Sequence, residues 1–133
     1  MYYFNTAVKT KINRAAATAI LRRAGLQDIS VTFCSQQLIR ELNKKFRGQN
    51  KPTDVLSFAT GDIVICPALA AVNARRYGNS LAAELLYLLV HAACHLCGHD
   101  HAGARAAARM HVAENRLLTY VRQKYKITVT GRI

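Results

Sequence analysis

The feature that most constrains the fold is an apolar run from Leu81 to Cys97 that carries two histidines near its end. His91 and His95 are four residues apart, so on a helix they lie one turn apart and point to the same side. Gly98 follows, and glycine is the usual residue just past a helix end, where the chain takes a left-handed turn. A chain that reverses there brings His101 back towards the helical pair. The pattern therefore predicts an apolar helix with three imidazoles converging at its C-terminal end.

Three converging imidazoles predict a zinc site with one ion per chain, held by His91, His95 and His101. A catalytic zinc usually has three protein ligands and an open position, whereas a structural zinc has four. Zinc proteases with a comparable helix carry His-Glu-x-x-His, in which the glutamate is the general base. Ala92 stands at that position, so peptide hydrolysis by that mechanism is not expected. The expected catalytic group is a zinc-bound water, with no side chain assigned as its base.

The same segment contains a Cys-x-x-Cys pair, Cys94 and Cys97. Such a pair can bind zinc or act in redox chemistry. Here it lies within a helix rather than at the N-terminus, where a thiolate is favoured, and free cysteine is among the most buried residue types. We expect both cysteines to be small core residues, with a mixed histidine and cysteine metal site as the alternative.

Two residues of the turn keep alternative roles. Asp100 can orient a ligand histidine, as carboxylates often do, or it can cap the turn after Gly98. His99 can point to solvent or supply a fourth metal ligand.

The charge of the chain indicates an anionic partner. Nineteen Lys and Arg residues against seven Asp and Glu residues give a net charge of +12 over 133 residues. Such an excess most often indicates a nucleic-acid partner, with a solvated surface or an anionic membrane as alternatives. The apolar run from 81 to 97 is too short and too polar to span a membrane. No signal peptide is apparent, so a cytoplasmic protein is expected.

The periodicity of the remaining chain predicts one α+β domain over residues 1–133, with about five helices on a small mixed sheet of about four strands. Helices are expected at 6–24, 35–46, 67–77, about 80–97 and 102–123, and strands at 28–33, 55–59 and 63–66. A tight turn at 60–62 joins the last two strands. Residues 124–133 are expected to form either an edge strand or a loose tail.

Apolar spacing also predicts the buried helix faces. Thr6 is expected to cap the first helix and Ser35 the second, while Asn79 or Ser80 caps the apolar helix. In the first helix the expected inward residues are Ile12, Ala16, Ile20 and Leu21. In the second helix they are Leu38, Leu42 and Phe46. In the last helix they are Ala106, Met110, Ala113 and Leu117.

Two segments together resemble the YbeY family of bacterial endoribonucleases. Residues 40–58, which read Arg-Glu-Leu-Asn-Lys-Lys-Phe-Arg-Gly-Gln-Asn-Lys-Pro-Thr-Asp-Val-Leu-Ser-Phe, resemble the first signature of the family. The pattern His91-x-x-x-His95-x-x-Gly98-x-Asp100-His101 resembles its zinc motif. The likeness covers residues 28–118, which is nearly the whole domain.

The resemblance implies a zinc-dependent, single-strand-specific endoribonuclease that acts in the 3′-end maturation of 16S ribosomal RNA and in ribosome quality control. It implies the three motif histidines as zinc ligands and Arg47 as the functional arginine, whose planar guanidinium suits phosphate oxygens. The neighbouring basic residues Lys44, Lys45 and Lys51 are expected to contact substrate. The implied partners are small-subunit ribosomal RNA and ribosomal particles, with ribosomal proteins or an assembly GTPase as candidate protein partners. Neither DNA nor a membrane is expected.

The chain departs from the family pattern without losing a ligand. Its last helix carries Arg105, Arg109 and Arg116, where the family is often acidic. The connection at 60–62 is also shorter than is common. These departures bear on substrate range and protein partners rather than on the metal.

Two other functions remain open on the sequence. One is a ribosome-binding assembly factor with a mainly structural zinc. The other is a metal-dependent hydrolase of a small phosphoester or amide. Three histidines without an obvious fourth ligand favour catalysis, and a charge of +12 is more than a small substrate needs.

Overall fold

A computed structural model describes residues 1–130 as five helices packed on a four-stranded sheet. The elements are β1 (Tyr2–Thr6), α1 (Arg14–Arg23), β2 (Ile29–Phe33), α2 (Gln36–Arg47), β3 (Val55–Phe58), β4 (Asp62–Ile65), α3 (Pro67–Tyr77), α4 (Leu81–Leu96) and α5 (Ala104–Tyr125). The sheet order is β1-β2-β4-β3, with β1, β2 and β4 parallel and β3 antiparallel to β4. The predicted α+β class, with about four strands and five helices, is confirmed.

The N-terminal segment differs from the prediction. It forms β1, which pairs in parallel with β2 so that Thr6 lies opposite Phe33. The helix expected from residue 6 begins only at Arg14, and Asn13 caps it by accepting a hydrogen bond from the Ala16 N–H at 3.0 Å. Pairing with a buried strand outweighs the weak intrinsic preference for helix, because tertiary context routinely overrides propensity. The fourth strand of the sheet is thus at the N-terminal end of the chain.

The second helix has the predicted bounds and cap but a different buried face. Leu38 and Phe46, expected to point inward, are 38% and 55% exposed, whereas Ile39 and Asn43 are buried. The Asn43 amide donates to the Lys51 carbonyl oxygen at 2.9 Å, which fixes the loop that follows the helix. Asn43 therefore faces inward because its side chain makes a hydrogen bond to the loop backbone. Apolar spacing alone assigns the inward positions to other residues of the helix.

The predicted strands and hairpin are confirmed. Ile29, Val31 and Phe33 of β2 are all buried, as the alternating pattern predicts. The turn between β3 and β4 is closed by the Gly61 N–H, which donates to the Phe58 carbonyl oxygen at 2.9 Å.

The apolar helix α4 is the centre of the fold. Its cap is Ser80, whose hydroxyl accepts a hydrogen bond from the Ala83 N–H at 3.1 Å. All residues from Ala83 to Val90 are buried, because α4 contacts α1, α3 and α5 as well as β3 and β4. No helix within residues 1–130 has the length and apolar character that crossing a membrane requires. Burial on all sides makes α4 a rigid support for the histidines at its end.

The C-terminal segment is neither an edge strand nor a loose tail as far as residue 130. After α5, residues 126–130 have no regular structure, but Val129 is buried and the Thr130 N–H donates to the Asn79 side chain at 2.8 Å. On α5 itself Met110 and Leu117 are buried, while the two predicted inward alanines are half-buried. The remainder of the 124–133 prediction, residues 131–133, lies outside the described part of the chain.

Candidate metal centre

The C-terminal end of α4 is a Schellman turn, which reverses the chain. Gly98 has a φ of +92°, a conformation that glycine adopts without steric cost. Its N–H donates to the His95 carbonyl oxygen at 3.0 Å, and the His99 N–H donates to the Cys94 carbonyl oxygen at 3.0 Å. These are the two hydrogen bonds of the motif. The reversal that the glycine predicts is therefore present, and it directs the following loop back along the helix.

The turn brings the three motif histidines together. One potential ligand atom from each of His91, His95 and His101 lies within 4.8 Å of the other two. The ring centroids of the helical pair are 4.7 Å apart, and that of His101 lies 5.3 Å and 5.6 Å from them. Within residues 1–130 this is the one cluster of three or more His, Cys, Asp or Glu side chains close enough to hold a metal ion. The predicted ligands thus form a single cluster.

The hydrogen bonds of the two helical histidines orient their free nitrogens towards each other. His91 Nδ1 lies 2.8 Å from a carboxylate oxygen of Glu114, and His95 Nδ1 lies 3.0 Å from the carbonyl oxygen of His99. Both oxygens accept hydrogen bonds, so both Nδ1 atoms carry the proton. In the neutral rings the two Nε2 atoms, 3.2 Å apart, then face each other with lone pairs.

This arrangement fits a zinc ion. Two acceptor nitrogens in contact repel each other unless a proton or a cation lies between them. In a tetrahedral site with Zn–N bonds of 2.0–2.1 Å, two nitrogen ligands are about 3.3 Å apart, close to the 3.2 Å between the two Nε2 atoms. His101 lies on the exposed loop and offers the third nitrogen. Three neutral imidazoles leave at least one coordination position for water or substrate.

The surroundings of His95 keep its ring neutral. Burial lowers the pKa of His95 below its ordinary 6.5, and the neighbouring His91 lowers it further, while the hydrogen bond to the His99 carbonyl oxygen acts in the opposite direction. Metal ligation requires the neutral ring, because the proton and the ion compete for the same lone pair. The site therefore favours the form of His95 that binds a metal.

The lowered pKa predicts a pH dependence of stability in the zinc-free protein. In the unfolded chain His95 takes up a proton near pH 6.5, whereas the folded state resists it to a lower pH. The unfolded state thus binds more protons in that window, and stability falls as the pH is lowered from 7 through 6.5. Urea unfolding of wild type and His95→Gln, both with a chelator, measures this. We expect the wild type to lose stability relative to the variant; parallel pH profiles would contradict the assignment.

Glu114 is a residue of the candidate site that the sequence analysis missed. It is 3% exposed, and besides His91 its carboxylate lies 3.6 Å from His111 Nδ1. It is the single acidic residue of α5, spaced by four from the buried Met110 and by three from the buried Leu117. A lone carboxylate on a basic helix, at a spacing that places it among the buried residues, was the sequence feature that could have identified Glu114. A carboxylate that holds a metal-binding histidine fixes its tautomer and raises its basicity.

Of its two alternative roles, Asp100 has the second, which is to cap the turn after the helix. Its carboxylate accepts a hydrogen bond from the Ala102 N–H at 2.9 Å and so caps the turn after Gly98. His99 contributes its backbone oxygen to His95, and its side chain is outside the three-histidine cluster. Orientation of the helical ligands thus comes from Glu114 and from the turn backbone.

The two cysteines of the motif differ in environment. Cys94 is buried as predicted, and desolvation raises the pKa of its thiol to about 12, with Glu114 and Cys97 adding to the shift. The prediction that Cys97 is a core residue is wrong: it is exposed at the end of α4, and its thiol lies 3.3 Å from the Ala24 carbonyl oxygen. Desolvation of the sulfur raises the pKa of the Cys97 thiol as well. Neither thiol belongs to the cluster of potential ligand atoms formed by His91, His95 and His101, so a mixed site is disfavoured.

An open cleft of about 770 Å³ lies against the histidine cluster. His91 and His95 form part of one wall, and the β3–β4 turn and Arg47 form others. The Arg47 guanidinium donates to the Ser57 carbonyl oxygen at 2.6 Å and lies 5.7 Å from the Phe58 ring centroid. These contacts hold the guanidinium at the cleft, although the residue is exposed.

The other basic residues of the first signature are placed differently. Lys44, Lys45 and Lys51 are exposed and do not line the cleft. Their expected contact with substrate stays a prediction, and it would have to involve a part of the substrate outside the cleft.

Comparisons with known proteins find one family repeatedly. The family described as Endoribonuclease YbeY matches residues 3–122. A Moorella thermoacetica protein named Endoribonuclease YbeY is 38% identical over 125 residues, covering 80% of each chain. A Thermotoga maritima protein of the same name is 39% identical over 88 residues, covering 62% of this chain and 59% of the relative.

A solved structure has a similar fold. The solution structure of TM1509 from Thermotoga maritima has a TM-score of 0.65 and 28% identity, and the match covers 95% of this chain and 92% of that chain. The family match spans the helical histidine pair, the returning loop and Arg47 alike. The chain therefore belongs to the YbeY endoribonuclease family.

Proposed function

We propose that this protein is a zinc-dependent endoribonuclease that cleaves single-stranded RNA. The observation that carries the proposal is the cluster of His91, His95 and His101, of which the first two line an open cleft that Arg47 also lines. RNA as the substrate is supported by the relatives named Endoribonuclease YbeY and by the net charge of +12. Phosphate contacts dominate nucleic-acid affinity, so a strongly basic protein suits this substrate.

The charges around the site suit a phosphodiester. Three neutral imidazoles leave the double positive charge of a zinc ion uncompensated, and the buried Glu114 carboxylate removes one unit of it. Arg47, which is always protonated, adds a positive charge at the same cleft. A singly charged phosphodiester therefore enters a site of net positive charge.

Each residue of the site has a distinct task in this proposal. Zinc, when bound, supplies a coordinated water with a pKa near 7 and polarises a phosphoryl oxygen. Glu114 and the His99 carbonyl oxygen hold the two helical imidazoles in the ligand tautomer. The Arg47 fork can hold two phosphate oxygens and stabilise the charge that grows on them during cleavage. No carboxylate of the site is assigned as a general base.

The wider role is a proposal based on the family resemblance. We propose that the RNA is the 3′ end of 16S ribosomal RNA, that the protein also acts in ribosome quality control, and that it works in the cytoplasm on ribosomal particles. Ribosomal proteins or an assembly GTPase are the proposed protein partners. The support for this level of detail is the family resemblance of the two signature segments.

Reversing the charge of Arg47 tests the proposal. Arg47→Glu is expected to keep zinc, because Arg47 does not contact the histidine cluster, and to lose at least about 100-fold in the rate of cleavage, as removal of one stabilising donor can cost that much. Arg40→Glu is the matched control, since Arg40 is an exposed arginine of the same helix that pairs with Asn50 and does not line the cleft.

The assay measures zinc per chain and cleavage of a single-stranded RNA that carries the 16S 3′ end. An Arg47→Glu protein that cleaves as fast as Arg40→Glu would show that the arginine has no catalytic part. Zinc without cleavage in the wild type, even with ribosomal particles added, would favour the assembly-factor function instead.

A further inference from the structure

The neighbouring helices α1 and α5 form a surface whose charge the proposed reaction does not use. Their cations are Arg14, Arg22, Arg23, Arg105, Arg109, Arg116, Arg122 and Lys124. The single carboxylate on the two helices, Glu114, is buried and faces the histidines. Within residues 1–130, neither Arg23 nor Arg116 forms an ion pair with a carboxylate. Unpaired arginines at this density carry a positive potential that favours an anionic partner.

Two depressions lie on this surface, and the first of them borders the histidine cleft. The first, of about 370 Å³, lies between α1, the end of α4 and α5; its lining shares His99 with the cleft and includes Arg23 and Arg116. The second, of about 520 Å³, is lined by the same two arginines and continues along α5 to Tyr120 and Gln123. The two depressions share Arg23 and Arg116, and the first borders the cleft at His99; we call the two together the α1–α5 groove.

An aromatic ring positions one of the two arginines of the groove. The Arg23 guanidinium lies 4.0 Å from the centroid of the Tyr120 ring, close enough for a cation–π contact. Half-buried Tyr120 holds this arginine in place at the outer part of the groove. Basic grooves with aromatic and arginine side chains are the usual way in which proteins bind single-stranded nucleic acid without sequence preference.

We propose that the α1–α5 groove binds the backbone of an RNA segment that continues from the strand held in the cleft. This rests on the proposed RNA substrate. The position of the groove next to the cleft, with His99 lining both, and the unpaired Arg23 and Arg116 favour RNA over an acidic protein. Protein interfaces have an apolar centre depleted of charge, whereas this groove has one exposed large apolar side chain, Val112, beside its arginines.

The test compares a double variant, Arg23→Gln with Arg116→Gln, against the matched control Arg75→Gln with Arg76→Gln. The control arginines are exposed on α3 and line none of these depressions. Fluorescence anisotropy on the zinc-loaded proteins, read on ice before cleavage, gives Kd for RNA strands of about 4 and about 16 nucleotides. Zinc content and thermal unfolding establish that each variant is folded, and Arg116→Gln alone is used if the double variant is not.

The double variant is expected to bind the long strand about tenfold more weakly, with a salt slope reduced by about one to two, since each lost phosphate contact lowers the slope by about 0.7 for a single strand. Short-strand affinity and both affinities of the control should match the wild type. Unchanged long-strand affinity would overturn the proposal and leave an acidic protein surface as the occupant of the groove. An equal loss for both strands would also overturn it, because the effect would then originate in the cleft.

Binding and cleavage separate this inference from the proposed function. If the double variant shows the length-dependent loss of RNA binding but the wild type never cleaves RNA, the endoribonuclease is contradicted and the groove is supported. A wild type that cleaves RNA, with no difference between groove and control variants, contradicts the groove alone.

Discussion

Replacing His95 with alanine is expected to reduce bound zinc from about one ion per chain to almost none and to abolish RNA cleavage. His95 lies next to both other histidines of the cluster: its Nε2 is 3.2 Å from His91 Nε2, and its ring centroid is 5.6 Å from that of His101. Without it, two imidazoles remain, one of them on an exposed loop. Two ligands, one of them on an exposed loop that must become ordered when zinc binds, bind the ion too weakly to retain it during purification.

The fold should survive this substitution, which makes the result interpretable. His95 is in the last turn of α4 and only half-buried, while the core of the helix lies between Ala83 and Val90. The paired measurement is zinc per chain after purification without added metal, together with cleavage of a single-stranded RNA that carries the 16S 3′ end. Circular dichroism of the two proteins should agree.

His99→Ala is the matched control for loss of an imidazole from the same segment. His99 contributes its carbonyl oxygen to His95, and alanine preserves that backbone atom. The control is expected to keep its zinc, which also tests whether the His99 side chain is a fourth ligand. Full zinc occupancy in His95→Ala would contradict the three-histidine site, and loss of zinc in both variants would call for a ligand set that includes His99.

The three-histidine cluster was accessible to sequence analysis because its determinants are local. A spacing of four places His91 and His95 on one side of a helix, and a glycine after the last helical turn predicts a reversal. The Schellman hydrogen bonds at Gly98 have this geometry. A single helix and its turn thus assemble the cluster, with no need to know what packs against them.

Features that depend on distant partners were not accessible in the same way. Glu114 is 23 residues from His91, so their hydrogen bond follows from the packing of α5 on α4. The pairing of β1 with β2 is likewise non-local, and the helix expected from Thr6 begins only at Arg14. Arg47 was identified by family resemblance; the structure adds that the end of α2 places it at the cleft.

Glu114→Gln is expected to weaken zinc binding by about 10- to 100-fold, the usual cost of removing a carboxylate behind a metal-binding histidine. The glutamine retains the size of the side chain and can still accept a hydrogen bond from His91 Nδ1. It lacks the negative charge that raises the basicity of the imidazole and compensates the ion in a buried place. Affinity for the metal, rather than its presence at high concentration, is therefore the sensitive property.

Competition with a chromogenic chelator measures the zinc Kd of wild type, Glu114→Gln and the control Glu41→Gln, whose side chain is exposed on α2. Cleavage at saturating zinc should recover in Glu114→Gln to a large part of the wild-type rate, because Glu114 orients a ligand and does not line the cleft. A zinc Kd equal to that of Glu41→Gln would show that the carboxylate serves only to pack α5.

A second outcome would assign Glu114 a larger part in the reaction. If zinc affinity falls and cleavage stays low at saturating zinc, the carboxylate acts on the ion in the transition state as well as in the resting site. His111 provides a control for both outcomes. It is the other histidine near the Glu114 carboxylate, at 3.6 Å, and it lies outside the ligand cluster. His111→Gln removes a neighbour of Glu114 without touching a ligand. We expect its zinc Kd to stay within about threefold of the wild-type value, because the direct 2.8 Å contact to His91 remains.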